Sequence, residues 1–238
     1  MSRTKSKPQC KRPFLKSILA VHARLRKRFG ARPWLADREP VLDSLVGTIL
    51  SQNTSDVNSS RAFAQFKKAF PDGEAARRAS AAEIEEQIRS GGLAKTKSIR
   101  IKKILDYVYA RRGQTSLDYL RRLTTERIKE DLSEFPGVGP KTIACVLMFN
   151  LKRPDFPVDT HIHRIAGRLD WVSSRASAEQ TYEILNAIVP DRLTYELHVL
   201  LITLGRRICH ARKPECLECP LFWTCPLAKR KRAQHAEF

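Results

Sequence analysis

Lys141 and the turn before it are the residues whose types and spacing most directly suggest chemistry. The stretch Phe135–Thr142 reads FPGVGPKT and joins two apolar helical patterns. Gly137 and Gly139 can adopt positive φ and let the backbone approach a ligand closely, and Pro140 suits the first turn of a helix. Amide groups at such a helix N-terminus form an anion site, and the helix dipole favours the neutral amine of Lys141. The turn therefore predicts a phosphate-binding loop beside a candidate nucleophile.

A carboxylate follows this lysine at a distance of 18 residues along the chain. Asp159 begins the next helical pattern, Thr160–Leu169. It could accept a proton from the amine, or it could simply be the N-cap of that helix, a position where aspartate is favoured. Lys141 could likewise be no more than a phosphate contact. The residues alone leave both alternatives open.

Four of the six cysteines lie within 17 residues, with the spacing C-x6-C-x2-C-x5-C. In a reducing compartment, clustered thiols indicate a metal rather than disulfides. Zinc sites usually show two C-x2-C pairs, whereas one pair here is flanked by two single cysteines. Cysteine thiolates are also the standard ligands of iron–sulfur clusters. The spacing favours iron–sulfur only modestly over zinc for these residues, which are Cys209, Cys216, Cys219 and Cys225.

The elements that position these groups are predicted to be helices. Apolar residues recur at spacings of three and four along most of the chain, and almost no strand pattern is present. This periodicity predicts one helix over Phe14–Phe29, ended by Gly30, and another over Thr142–Phe149. The predicted fold class is all-α, with about ten helices.

Polar residues mark several of the predicted helix starts. Ser80–Glu83 and Ser177–Gln180 both have the capping-box pattern, in which a serine is followed three residues later by Glu or Gln. In the polar turn Ser51–Asp56, Thr54 or Asp56 is predicted to cap the helix that follows.

The charge of the chain indicates a polyanionic partner. Lys and Arg number 44 against 25 Asp and Glu, which gives a formal net charge of +19. Such an excess implies salt-dependent attraction to a polyanion, although a basic surface kept for solubility is the simpler alternative. No apolar run approaches the ~20 residues that span a bilayer. Because the basic Met1–Arg12 lacks the apolar core of a signal peptide, an intracellular location is expected, in the cytoplasm or nucleoid of a prokaryote or the nucleus or an organelle of a eukaryote.

Together these stretches resemble the endonuclease III family of DNA glycosylases. Phe135–Thr142 resembles the helix-hairpin-helix of that family, and Val158–Ile162 resembles the segment that carries its catalytic aspartate. Arg206–Pro220 is similar to the loop that binds a four-iron–four-sulfur cluster, well beyond its cysteines. The three motifs stand in the expected order between about Leu42 and about Leu227.

The resemblance implies two helical domains that flank a DNA-binding cleft. Residues 34–153 would form a six-helix barrel domain with the helix-hairpin-helix, and residues 13–33 with 154–227 would form the iron–sulfur domain. Residues 1–12 are expected to be a disordered basic arm and residues 228–238 a polar basic tail. The implied partner is double-stranded DNA that contains damaged bases or abasic sites. The protein is expected to be a monomer and to have no membrane partner.

By position, the resemblance implies that Lys141 is the catalytic lysine and Asp159 the catalytic aspartate, and that the four cysteines hold a [4Fe-4S] cluster. Leu93 would be the wedge that enters the duplex where a base is flipped out, although a lone leucine is usually a core residue. One position departs from the family, because Asn53 stands where a glutamine is usual and Gln52 precedes it, so the opposite-base preference is open. The implied DNA contacts are Gly137, Val138, Gly139, Leu93, Asn53, Gln52, His161, Arg212 and Lys213.

The implied function is base excision repair by a bifunctional DNA glycosylase/AP lyase that removes oxidised pyrimidines. Lys141 would form a Schiff base with the deoxyribose, and β-elimination would then nick the strand. Two alternatives remain on the residues alone. One is a mismatch-thymine, adenine or methylcytosine glycosylase on the same fold, and the other is a non-catalytic helix-hairpin-helix DNA-binding protein with a structural cluster.

Overall fold

The computed structural model describes residues 12–34 and 39–230, with side chains from residue 14 onward. Throughout these ranges the secondary structure is helical and no strand occurs, which confirms the predicted all-α class. Most of the predicted basic arm and basic tail lies outside them. In chain order the helices are α1 Arg12–Phe29, α2 Val41–Leu50, α3 Asp56–Ala69, α4 Gly73–Arg78, α5 Ala81–Ile88, α6 Ala94–Arg112, α7 Thr125–Ser133, α8 Pro140–Cys145, α9 Thr160–Arg168, α10 Ala178–Ile188 and α11 Thr194–Arg207.

The chain divides into two compact units. Ala36–Arg153 forms one of them, here called the continuous unit. The segments Met1–Leu35 and Pro154–Phe238 form the other, the discontinuous unit. Each unit has an apolar core of its own.

The core of the continuous unit is built around α2. This helix is apolar on most of its circumference, and Leu45, Ile49 and Leu50 are fully buried. It contacts α3, α6 and α8. Burying a leucine or isoleucine side chain stabilises a fold by about 1.5–3 kcal/mol, so the buried face of α2 anchors the start of the turn that follows Leu50.

The core of the discontinuous unit is formed by α1, α9, α10 and α11. Helix α11 contacts α1 and α9, and its stripe of leucines from Leu197 to Leu204 is buried. Polar contacts join the same helices, because the Glu196 carboxylate pairs with His22 at 2.7 Å and with Arg26 at 3.3 Å. No helix within the described ranges is long and apolar enough to cross a membrane.

Helix starts follow the predicted caps in two cases and differ in a third. Ser80 and Ser177 both form complete capping boxes, as predicted. The cap of α3 is Ser55, whose hydroxyl accepts a hydrogen bond from the Asn58 amide at 3.3 Å. The prediction of Thr54 or Asp56 was therefore wrong, because Asp56 already has helical geometry and Ser55 is the last residue with extended backbone.

The helix that begins at the hairpin also differs from its prediction. The pattern predicted one regular helix over Thr142–Phe149, whereas α8 runs from Pro140 to Cys145 and continues as a π-helical turn over Val146–Asn150. In this wider turn the amide of Leu151 donates to the carbonyl of Val146 at 3.1 Å. Apolar spacing of three and four cannot distinguish such a turn from a regular one.

Candidate active site and DNA-contacting turns

Lys141 lies in the first turn of α8. Gly139 is the N-cap, Pro140 is the first helical residue, and the first turn contains no acidic side chain. The side chain of Lys141 is exposed. The sequence therefore presents an accessible amine at the end of a helix where amide groups and the helix dipole favour negative charge.

The turn before α8 uses one of its two glycines for an unusual backbone conformation. Gly137 has φ +74°, in the left-handed region, whereas Gly139 has φ −97°. A Cβ added at Gly139 would meet nothing within 4 Å, so the protein's own packing does not require glycine there. The amide of Val138 donates to the carbonyl of Phe135 at 3.1 Å and its side chain is buried in the core. The turn is thus fixed internally at Gly137 and Val138, while Gly139 stays open.

Two hydrogen bonds from one glutamine tie this turn to the rest of the continuous unit. Gln52 donates from Nε2 to the hydroxyl of Thr142 at 3.1 Å. Its Oε1 accepts from Nη1 of Arg100, on α6, at 2.8 Å. The Arg100 guanidinium lies against Gly137, where an added Cβ would stand 2.3 Å from Nε. Gln52 therefore connects two helices to the hairpin.

The neighbouring residue, Asn53, has different surroundings. Its side chain is exposed and its φ is +53°, in the left-handed region. Asparagine is one of the few non-glycine residues that tolerate this conformation. Of the two adjacent amide side chains, Asn53 is the one that the turn presents to solvent.

Leu93 is exposed and lies in a strained backbone conformation. The side chain is 59% exposed, and φ +51° with ψ +33° places the residue in the left-handed region. It stands between Gly92, which also has positive φ, and the first residue of α6. For a leucine this conformation costs about 1–2 kcal/mol, and the side chain gains little burial in return. The alternative that Leu93 is a core residue was therefore wrong.

A buried lysine that the sequence analysis missed joins the turns of Asn53 and Leu93. Lys97 is 2% exposed, and its Nζ donates to the carbonyl of Leu50 at 2.8 Å and to that of Gly91 at 2.9 Å. These carbonyls lie just before the two turns. Burial lowers the pKa of Lys97, and the nearby Arg100 charge lowers it further. The spacing of Lys97 from the buried Ile101, four residues later, was the available signal.

Asp159 belongs to the discontinuous unit, where it is the N-cap of α9. Its Oδ1 accepts a hydrogen bond from the Ile162 amide at 2.8 Å, and its own backbone is extended. The carboxylate is half-buried. The capping role is thus present in the structure, and it fixes the orientation of the carboxylate at the helix end.

His161, two residues further on in the first turn of α9, packs against Gly205 of α11. Its Nδ1 lies 2.9 Å from Nη2 of Arg164, and an added Cβ at Gly205 would stand 2.7 Å from the same nitrogen. Arg164 also donates to the carbonyl of Gly205 at 3.0 Å and to that of Cys209 at 3.0 Å. This network fixes His161 and joins it to the start of the cysteine-rich loop.

The four clustered cysteines line one cavity of the discontinuous unit. Arg168 lies in the wall of this cavity and donates to Cys209 Sγ at 3.0 Å and to the carbonyl of His210 at 2.8 Å. Burial, with the neighbouring thiols, raises the pKa of Cys219 to about 11. Arg212 and Lys213, between the first two cysteines, are exposed.

Comparisons with known proteins give the family of this chain. The family described as the HhH-GPD superfamily of base excision DNA repair proteins matches residues 46–191, more than half of the chain. Endonuclease III of Thermotoga maritima is 33% identical over 187 residues, which cover 79% of this chain and 83% of that protein. The chain belongs to the HhH-GPD superfamily and is homologous to endonuclease III.

Other relatives and solved structures extend this result. An Arabidopsis thaliana protein named "Putative DNA glycosylase" is 48% identical over 177 residues, which cover 74% of this chain and 60% of that protein. Endonuclease III trapped as a covalent intermediate with DNA has a TM-score of 0.77 at 24% identity, covering 92% of this chain and 98% of that chain. A likeness at this identity shows that the HhH-GPD chain shares the endonuclease III fold.

The cysteine cavity can be compared with the iron–sulfur cluster that the resemblance to endonuclease III implies. Four thiols face one cavity whose other walls include the apolar Ile208, Phe222 and Leu227, and a guanidinium donates to one sulfur. Such donors and such hydrogen bonds are those of cysteine-ligated clusters. Within the described part of the chain, no group of three or more His, Cys, Asp or Glu side chains is arranged to hold a metal ion. The donor chemistry is thus that of a cysteine-ligated cluster, and the cluster itself stays a prediction.

Proposed function

We propose that this HhH-GPD protein is a bifunctional DNA glycosylase/AP lyase that removes oxidised pyrimidines from double-stranded DNA. The observation that supports this most directly is the exposed amine of Lys141 in the first turn of α8. A lysine at this place can act as a nucleophile, whereas a purely hydrolytic glycosylase needs only a water molecule and a carboxylate.

In the proposed reaction the free amine of Lys141 attacks C1′ of the damaged nucleotide. The N–C1′ bond forms while the glycosidic bond breaks, and the base leaves after taking up a proton. The ring-opened sugar then carries a Schiff base, and loss of a C2′ proton expels the 3′ phosphate by β-elimination. Asp159, with one oxygen held by the Ile162 amide, would accept the proton of the amine or stabilise positive charge on the sugar.

Base extrusion must precede this reaction, because stacking hides C1′. Extrusion costs a few kcal/mol, and less for a damaged base that pairs poorly. Leu93 and Asn53 would enter the gap that the base leaves, since both side chains are exposed on turns in the left-handed conformation. The backbone amides of the hairpin and the excess of Lys and Arg would hold the phosphates without reading sequence.

The four cysteines would hold the [4Fe-4S] cluster and thereby fix the loop between them. The cluster, when bound, would serve as a structural cross-link, because glycosidic cleavage moves no electrons. Arg168 already holds this loop by its contacts with Cys209 and His210, so the exposed Arg212 and Lys213 would be presented to phosphates. We expect the enzyme to act as a monomer inside the cell, where its DNA substrate is found.

Borohydride trapping tests the proposal. The native protein is incubated with a duplex that contains one oxidised pyrimidine, and reduction should fix a covalent protein–DNA complex. Lys141→Gln should lose the complex and keep salt-dependent binding, and Lys103→Gln, which changes an exposed lysine on α6, should retain both. No trapping by the native protein would overturn the lyase assignment.

A panel of duplexes separates the remaining alternatives. Base release without trapping would indicate a hydrolytic glycosylase, and preference for mismatched thymine, adenine or methylcytosine would replace the proposed substrate. Binding without any base release would indicate a non-catalytic DNA-binding protein.

A further inference from the structure

Gln52 and Asn53 are adjacent residues with amide side chains, but they differ in burial and in their contacts with the rest of the protein. Asn53 is exposed, whereas Gln52 is half-buried and uses both ends of its amide group within the continuous unit. Its Nε2 reaches Thr142 at 3.1 Å and its Oε1 accepts from Arg100 at 2.8 Å. These partners lie 90 and 48 residues away along the chain. A side chain that only reads DNA does not need two such internal contacts.

Both contacts converge on the hairpin that carries Lys141. Thr142 is the next residue in the first turn of α8, and it is only 5% exposed. Arg100 lies against Gly137 so closely that no other residue fits at that position without displacing the guanidinium. Gln52 therefore holds the hairpin at its glycine turn, through Arg100, and at its helix, through Thr142.

We propose that Gln52 is a positioning residue that fixes the rotation of the first turn of α8 and hence the direction of the Lys141 amine. The inference rests on the proposed nucleophilic role of Lys141. Any rotation of α8 about its axis would move Thr142 away from Gln52 and would swing the amine of the preceding residue. Of the two adjacent amides, Asn53 is then the one left to contact the unpaired base.

Such a role predicts a defect that is much larger in the covalent step than in DNA binding. A displacement of about 1 Å of a reacting group can reduce a rate about 10²-fold. We expect Gln52→Leu to reduce the single-turnover trapping rate about ten- to hundredfold and to weaken binding to undamaged duplex much less. Gln114→Leu, which changes an exposed glutamine of the same unit, is the matched control and should have no effect.

Two further variants distinguish positioning from a general loss of structure. Thr142→Val removes the same hydrogen bond from the other side, so combining it with Gln52→Leu should give less than the product of the two separate losses. Gln52→Glu can accept from both Arg100 and the Thr142 hydroxyl and should restore most of the rate. If Gln52→Leu lowers the melting temperature strongly, the trapping rates of Thr142→Val and Gln52→Glu still distinguish positioning from loss of structure.

The base opposite the lesion provides the decisive readout. A positioning residue should affect the rate equally for all four opposite bases, whereas a residue that reads the unpaired base should change the preference among them. A loss that depends on the opposite base, or a native rate in both Gln52→Leu and Thr142→Val, would overturn the proposal. Failure of the native protein to trap any duplex would instead refute the role of Lys141.

Discussion

Replacing Leu93 by glycine should leave the stability of this protein nearly unchanged and should slow its release of damaged bases. Leu93 combines 59% exposure with φ +51°. Glycine removes the left-handed strain of about 1–2 kcal/mol but adds about 0.5–1 kcal/mol of backbone entropy cost. It also loses the burial of the covered two-fifths of the side chain, about 0.6–1.2 kcal/mol on the scale for a whole leucine. These contributions nearly cancel, so the free energy of unfolding should change by less than about 1 kcal/mol.

The effect on base extrusion should be much larger than the effect on folding. If Leu93 enters the duplex, the exposed three-fifths of its side chain becomes buried there, which contributes about 0.9–1.8 kcal/mol. Losing this contribution should slow the single-turnover release of a damaged base about five- to twentyfold. The loss should be smallest for a substrate that already contains an abasic site, because no base then has to leave the stack.

Thermal unfolding and single-turnover base release measure the two effects on the same samples. The melting temperature of Leu93→Gly should lie within about 4 °C of the native value. Leu19→Ala, which truncates a 37% exposed leucine on α1, is the control for loss of exposed apolar surface and should release bases at the native rate. Loss of several kcal/mol of stability would show that Leu93 packs within the protein, and native base release by Leu93→Gly would refute its role as a wedge.

Three other predictions concern a buried lysine, an ion pair of the scaffold and the cysteine cavity. Lys97→Met should destabilise the continuous unit by about 2–4 kcal/mol in chemical denaturation, because two buried carbonyls lose a charged donor; a change below about 0.5 kcal/mol would contradict this. The hydrogen bonds of Glu74 with Arg77 and Thr115 lower its pKa to about 2. The ionised carboxylate therefore stabilises the folded state fully above the ordinary pKa of 4.5, and this stabilisation is lost as the pH falls through the pKa of the folded state. An NMR titration midpoint near 4.5 for Glu74 would contradict the lowered pKa. Cys216→Ser should reduce the iron content and visible absorbance of purified protein while far-UV circular dichroism stays helical, and unchanged absorbance would remove Cys216 from the ligand set.

The sequence predicted the helices well because two physical signals agree along most of the chain. Apolar periodicity identified the buried faces, and the capping boxes at Ser80 and Ser177 marked helix starts that the structure confirms. The exceptions occur where these signals are weak. Ser55 caps α3 in place of its polar neighbours, and the π-helical turn Val146–Asn150 keeps an apolar pattern that also fits a regular helix.

The candidate site could be predicted only as a set of residue types at given positions. The motifs indicated Lys141, Asp159 and the four cysteines, and the roles of these residues stay predictions. Contacts between distant segments could not be predicted from the sequence, since no local pattern indicates them. The hydrogen bonds of Gln52 and the two carbonyls capped by Lys97 belong to this class.

The backbone offers a physical reason for the asparagine that replaces the glutamine implied by the resemblance. The turn requires positive φ at this position, and asparagine tolerates φ +53° better than glutamine because its short side chain can hydrogen-bond locally. The longer amide, Gln52, reaches the hairpin helix, which Asn53 one residue later does not. The longer amide, Gln52, thus lies in the interior, and the shorter one, Asn53, occupies the strained and exposed position. Exchanging the two residues would shorten the amide that contacts Thr142 and would place glutamine in the left-handed conformation.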